Sequence, residues 1–517
     1  MRKSMTKKLA AVVLTAAMAL TAAGCGNNSG DNPSSQETLK NSSGTPESSV
    51  NTPESTAGTP AGEGNGGGNA SAEIAKPESI SWWTHDGLNE ENGAEQWFAE
   101  FEKFTGIHLD HQFIPNNEYY DKLKLAFASH EVPEVFDLNG ANLALYASQG
   151  AIKDLTPMLQ ASELWDKVDP AIWEAIAIDG KIYAVPKEVP SAACTYVRGD
   201  WLERLGMQPP TTYDEFLEMI RRFKAEIPEC EIGLTAPGLK NPQNLPEFYQ
   251  GAQFGFYREN GEWKDGFAQP EMAEAMQRMQ DAYKEGLLDM EIITNTTSTC
   301  RDAWYAGKVG VFNYWSGKWG GTLQERLVAN NEGAVALAIQ PIDGAVYSFA
   351  TLSGLCISSE VSDEKAEQIF KYFIEYMHDG GEGQLLFQSG VEGVHWEQDG
   401  DKAKPLPNLA DPSAVTTSVW ITPWLSLTPL ELTDKITEKA DAVTNSLAIT
   451  DAVAVQTPIT PVSETLNKIT SDLELEKADI LAKVVMGEMT VADGVTAYEE
   501  VAKELNVQKV LDELNGR

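Results

Sequence analysis

The sequence is short of positive charge, of cysteine and of long apolar stretches, and each shortage removes a class of protein. Lys and Arg number 39 against 77 Asp and Glu, a formal charge of −38 over 517 residues, which argues against a nucleic-acid partner because the phosphates would be repelled. The N-terminal apolar run, residues 9–20, falls well below the ~20 residues that a membrane-spanning helix needs. Beside Cys25 the chain has only Cys194, Cys230, Cys300 and Cys356, widely spaced and without a C-x-x-C pair. Disulfides and free buried thiols both remain open. There is no H-E-x-x-H, no Walker A loop, no G-x-G-x-x-G after a strand and no G-x-S-x-G elbow. His108 and His111 have H-x-x-H spacing, but on a predicted strand that spacing sends them to opposite faces rather than to one metal. Spacing therefore indicates no catalytic residue, no metal and no cofactor. No fixed-period repeat is visible, which sets aside solenoids and propellers.

What is present begins at the N-terminus. Residues 1–8 carry Arg2, Lys3, Lys7 and Lys8, the apolar run follows, and small residues lead through Ala22-Ala23-Gly24 to Cys25. A basic segment, an apolar core and a small-residue processing site, in that order, make an export signal. A Cys directly after Ala-Ala-Gly resembles the lipobox of bacterial lipoproteins, which implies a signal peptide over 1–24 and a diacylglycerol on Cys25. Acyl chains at about 0.8 kcal/mol per buried CH₂ would hold such a protein on its bilayer. From 26 to 76 the chain is Gly, Ser, Asn, Thr, Pro and Glu with almost no aliphatic residues, too little apolar surface to offset its ordering entropy. The segment 25–76 is expected to be a lipidated Cys and a disordered tether, with a reach on the order of 40 Å.

The remaining body is long enough for two or three domains, and strand-like and helix-like segments alternate along it. Ile80-Ser81-Trp82-Trp83 reads as a strand, Trp97, Phe98, Phe101 and Phe104 as one face of a helix, and Ile107, Leu109 and Phe113 as a second strand. A helix over 117–128 then leads to Val135-Phe136-Asp137-Leu138, a third strand. Thr212 and Glu215 form a capping box ahead of an apolar helical face, and 310–314 and 335–338 read as strands. Ala366, Ile369, Phe370, Phe373, Ile374 and Met377 line one helix, and Val491, Val495, Tyr498, Ala502 and Leu505 another. Such alternation implies an α/β fold with helices on both faces of a sheet.

The order of these segments resembles the family 1 extracellular solute-binding proteins of ABC importers, the group that includes maltose-binding protein. The resemblance rests on Ile80-Ser81-Trp82-Trp83-Thr84, Val132-Pro133-Glu134-Val135-Phe136-Asp137, Tyr146-Ala147-Ser148-Gln149-Gly150, Gly180-Lys181-Ile182-Tyr183-Ala184-Val185-Pro186 and Tyr196-Val197-Arg198-Gly199-Asp200. It continues with Pro210-Thr211-Thr212-Tyr213-Asp214-Glu215-Phe216, Ala306-Gly307-Lys308-Val309-Gly310-Val311 and Gly393-Val394-His395-Trp396. It implies a two-lobed, periplasmic-binding-protein-like fold of type II that closes about a hinge, with chain crossings near 190–196, near 347–355 and between 424 and 461. The lobes are then expected to comprise 77–193 plus 350–445, and 194–349 plus 446–517. It also implies a monomeric receptor, lipid-anchored on the extracellular face of a Gram-positive-type bacterium, whose partners are a sugar or oligosaccharide and the permease subunits.

Sugars present apolar faces edged by hydroxyls, so their sites combine aromatic platforms with a few polar groups. In open α/β sheets ligands bind beyond the carboxyl ends of strands. That rule selects Trp83 and His85 after the first strand, Asp137 on the third, and Trp315 and Trp319 after the strand at 310–314. Arg198, just past the first crossing, and a second group of Glu392, His395 and Trp396 complete the candidates. Trp82 and Trp83 are adjacent and face opposite ways on a strand, so at most one of them meets a ligand. The alternative from another class is a cell-surface carbohydrate-active hydrolase or lyase, whose acid and base could be any of the many carboxylates; a further one is a surface receptor that closes in the same way without import.

Overall fold

The structure, a computed structural model, describes residues 74–410 and 419–516. The expected leader, the lipidation site Cys25 and the tether up to residue 73 lie outside the described residues. The apolar alternation in the first strand decides the first layer. In β1 (Ser79–Thr84) Ile80 and Trp82 are buried in a core with Trp97, Phe101, Phe373, Phe387 and Trp420, while Trp83 is half-buried on the other face. Parallel to β1 run β2 (His108–Phe113) on one side and β3 (Val135–Asn139) on the other. His108 is exposed on β2, whereas His111 is tucked against Trp82 and Thr84. These two histidines share no ligand site.

A second sheet is built from the middle of the chain. It comprises β4 (Ala193–Arg198), β5 (Ile232–Thr235), β8 (Val309–Trp315) and β9 (Ala336–Ile339), in the order β5-β8-β4-β9. A separate hairpin, β6 (Phe256–Glu259) and β7 (Glu262–Asp265), packs through Trp263 against Val510 and Leu514 near the C-terminus. Helices cover both faces. Cys194 and Tyr196 of β4 enter one core with Trp304 and Phe312, and Val197 enters another with Trp201, Phe216 and Phe223. The helix Tyr213–Glu226 opens on the expected capping box, with Thr212 accepting from the Glu215 amide and Glu215 accepting in return. All four described cysteines are buried and free.

The chain then returns to the first sheet as β10 (Ser353–Ile357), antiparallel to β3, giving the order β10-β3-β1-β2. A hairpin of β11 (Trp396–Asp399) and β12 (Lys402–Pro405) follows. The two sheets are joined by a narrow ribbon in which Ala192 pairs with Phe349 and Ser348 with Val455. The helix Asp441–Val453 packs as a unit on the second sheet, against β9, β4 and the helix Lys318–Asn330. A division at 445/446 would therefore cut that helix. Leu432 still packs with the first lobe's hairpin core, so the chain changes sides between Leu432 and Asp441. It touches the first core once more at Ile459 before the long helix Glu464–Val485 returns to the second. Among the described residues no helix is long and apolar enough to cross a membrane.

That long helix carries a lysine where its stripe is apolar. Lys477 is fully buried and donates to the Asp265 carboxylate at 3.1 Å and to the Phe254 carbonyl at 3.2 Å, and the Phe254, Phe256, Phe267 and Tyr498 rings surround its ammonium group. The Tyr498 hydroxyl donates to the same carboxylate. Removing one partner of a buried pair leaves the other uncompensated, typically at about 3–5 kcal/mol. Lys477→Met is expected to lower unfolding stability by about 3 kcal/mol, and adding Asp265→Asn to recover part of it. Urea unfolding of both variants would check this, and an unchanged midpoint in the single variant would contradict it.

Candidate functional site

Strand ends from both sheets meet on one gap. β1 runs out at Thr84 and turns through His85, Asp86 and Gly87. Gly87 has φ +85°, and a Cβ there would lie 2.2 Å from the Trp420 ring, so the turn that presents His85 and Asp86 requires glycine. Asp137 comes from β3, which is covered on both faces, and only 1% of it is exposed. The Tyr119 hydroxyl clamps this residue's backbone, accepting from its amide at 2.9 Å and donating to its carbonyl at 3.1 Å. From the adjoining segment, Lys187 reaches between the two acids. Its ammonium group donates to both Asp86 oxygens at 3.0 and 3.1 Å and lies 3.5 Å from Asp137 Oδ2.

The opposite wall belongs to the second sheet. β8 ends at Trp315, which pairs with Ala193 at the start of β4, and the helix Lys318–Asn330 begins three residues beyond. The turn is pinned: the Ser316 amide donates to the Ala192 carbonyl, the Gly317 amide to Ser446 Oγ, and the Tyr196 hydroxyl to the Trp315 carbonyl. Trp315 and Trp319 remain half-buried. With His85, Asp86, Asp137, Lys187, Glu188 and ribbon residues 190–191 and 350–353 they line a cavity of about 270 Å³.

Charge in this cavity is finely divided. Burial raises the Asp137 carboxyl above the usual range, and the nearby Asp86 charge adds to that, while Lys187 opposes both. Burial works against the Lys187 ammonium ion, but the Asp137 and Asp86 carboxylates outweigh it and keep its pKa raised. Both Asp137 side-chain oxygens are buried, Oδ1 with no partner and Oδ2 with only the long contact to Lys187. Ligand atoms of His85, Asp86 and Asp137 lie within 4.8 Å of one another, a spacing suited to a cation; the Lys187 ammonium group supplies that positive charge.

The structure brings together four of the candidates, His85, Asp137, Trp315 and Trp319. The others are elsewhere. Trp83 packs against the first core rather than over the gap. Arg198 lies at the far end of β4, 4% exposed, paired with Asp200, donating to the Gly307 carbonyl and stacked on Trp201. Because β4 starts at the gap, its last residue is about 16 Å away from it. His395 accepts from the Val391 amide and meets the Asn92 carbonyl with its other nitrogen, Trp396 donates to the Gly390 carbonyl, and Glu392 points to solvent. That group closes a corner of the first lobe. Asp86, Lys187 and Glu188 are not among the sequence candidates; their signal is position, since Asp86 follows His85 and Lys187-Glu188 comes just after Val185, whose backbone bridges Leu355 of β10. A larger hollow of about 720 Å³ lies beside the helix Pro170–Ile176, but its Trp173 and Trp263 are buried and the Trp173 indole already donates to the Trp165 carbonyl.

Residues 87–373 match the family described as bacterial extracellular solute-binding protein. Lipoprotein LipO of Bacillus subtilis (strain 168) is 26% identical over 317 residues, 57% of this chain and 63% of that protein. The polygalacturonan/rhamnogalacturonan-binding protein YtcQ of the same organism is 22% identical over 321 residues, 59% of this chain and 64% of that protein. The chain thus spans just under two thirds of the length of these curated relatives. Among solved structures, an HMO-binding, ABC-transporter-associated solute-binding protein from Bifidobacterium longum infantis superposes with a TM-score of 0.64 at 16% identity, covering 85% of this chain and 98% of the other. Alginate-binding protein AlgQ2 gives 0.58 at 19% identity, covering 85% and 98%. These likenesses show the two-lobed solute-binding-protein fold.

If the two indoles form the platform, Trp315→Ala and Trp319→Ala should each weaken ligand binding by about 1–3 kcal/mol, or roughly five- to 150-fold. Glu392→Ala should leave it unchanged. Calorimetric titration of the three variants checks the assignment, and the reverse pattern would overturn it.

Proposed function

The match at 87–373 covers more than half of the chain, so the chain belongs to the bacterial extracellular solute-binding proteins, and we propose that it captures a carbohydrate, an oligosaccharide in particular, for the permease of an ABC importer. The observation that carries this is the cavity between the sheets, where two half-buried indoles face carboxylates on a rigid strand end. Indole faces suit the C–H faces of a pyranose, and carboxylates accept from its hydroxyls. A relative named for binding polygalacturonan and rhamnogalacturonan, and another named for melibiose, raffinose and stachyose, support a carbohydrate ligand, charged in the one case and neutral in the other.

Capture works by closure. Each lobe has its own packed core, and the ribbon at 190–192, 347–351 and Val455 can absorb dihedral change while both remain rigid. A ligand that touches the indoles of one lobe and Asp137 of the other makes its full set of contacts only when the lobes are closed, so binding shifts the population toward that form. The permease then has a shape to recognise. The residues of the cavity bind and orient, and the protein hands on its ligand unaltered. Anchoring through a diacylglycerol on Cys25 would hold the receptor at the outer face of the membrane.

A thermal-shift screen of the chain without its leader and Cys25, against mono-, di- and oligosaccharides, tests the reading. A saccharide at a thousand times its Kd should stabilise by about 4 kcal/mol and be recovered intact; no shift with any saccharide, or recovery of cleaved product, would contradict it. In cells, Cys25→Ser is expected to move the protein from the membrane fraction to the medium, and continued membrane association would contradict the anchor.

A further inference from the structure

Charge decides which saccharides can enter the cavity. Its wall carries three carboxylates, Asp86, Asp137 and Glu188, and Lys187 is the one Lys or Arg among the described residues that line it. That ammonium group is already engaged by both Asp86 oxygens and by Asp137. The neighbouring cations have other roles: Lys318 interacts with Glu188, and Arg301 lies over the Trp319 ring. A carboxylate arriving on a sugar would have to draw Lys187 away from two existing partners while lying beside three like charges. In a partly buried site such repulsion is poorly screened.

A neutral sugar meets the opposite situation. At the cavity wall the buried Asp137 Oδ1 has no hydrogen-bond partner and Oδ2 has only the Lys187 ammonium group at 3.5 Å, and the Tyr119 clamp on the backbone keeps this residue from turning away. An unsatisfied buried acceptor is costly, and a hydroxyl donor relieves that cost. Asp86 is directed to Lys187 and faces the gap mouth, where it adds negative potential without needing a donor.

Resting on the carbohydrate reading, we propose that the ligand is a neutral saccharide whose hydroxyls donate to Asp137, and that the carboxylates around Lys187 exclude sugars bearing uronic acids. The site selects by charge and not by ring shape alone.

The test is an array of neutral and uronic oligosaccharides probed with the chain lacking its leader and Cys25, followed by calorimetry on matched pairs such as 1,4-linked galactotriose against trigalacturonate. A neutral member is expected to bind, with uronic oligomers at least about 100-fold weaker. Asp137→Leu should abolish the neutral binding with the thermal unfolding transition retained. Asp86→Asn should narrow the discrimination by about 10-fold, chiefly by strengthening the uronic partner. Uronic oligomers that bind as tightly as neutral ones would overturn the charge selection and leave the carbohydrate reading standing. Binding of neither class would overturn both.

Discussion

A lysine held between two carboxylates organises the gap. Lys187 ties the turn after β1, through Asp86, to the buried Asp137 of β3, so three separate stretches of the first lobe converge on one ammonium group. Gathering like charges in a poorly hydrated place is unfavourable without such a counterion. With it, the acids can stand at the strand ends where a ligand would meet them. The pairing leaves Asp137 incompletely satisfied, and that residual demand for a donor is what a hydroxylated ligand can meet.

The second lobe contributes rings rather than charge. The turn from β8 into the helix Lys318–Asn330 is fixed by hydrogen bonds to Ala192 and Ser446, so the Trp315 and Trp319 side chains are presented on a rigid base. Residues 441–453 supply part of that base, and the chain then passes the ribbon at Val455. Platform, hinge and acids are therefore mechanically linked. On the proposed closure, motion of one lobe about the ribbon would bring indoles toward carboxylates while each core stays packed.

Much of this was legible in the sequence where a local rule governs the outcome. The alternation of Trp82 and Trp83, the Thr212 capping box and the apolar face from Ala366 to Met377 are all local, and each is realised. The rule that ligands gather at strand ends picked out His85, Asp137, Trp315 and Trp319, which the fold brings to one cavity. It failed for Arg198 because the direction of β4 is tertiary information: the strand runs away from the gap, so its last residue is the remote one. Trp83 failed for a related reason, since a strand end positions the chain but not the face on which a side chain packs. His395 and Trp396 looked like site residues by type, yet backbone carbonyls satisfy both. Lys187 and Lys477 were silent because a lysine in sequence reads as solvated surface; only its partners, 101 and 212 positions away, reveal it as buried.

The proposed saccharide sits between the Trp315–Trp319 turn and Asp137, and a crystal structure of the protein soaked or grown with the best-binding saccharide is the decisive measurement. The expected result is a sugar ring packed on at least one of the two indoles, with a hydroxyl about 2.5–3.0 Å from an Asp137 oxygen. A saccharide found instead in the larger hollow beside Trp165 and Trp173, with the Asp137 carboxylate still without a donor, would contradict it.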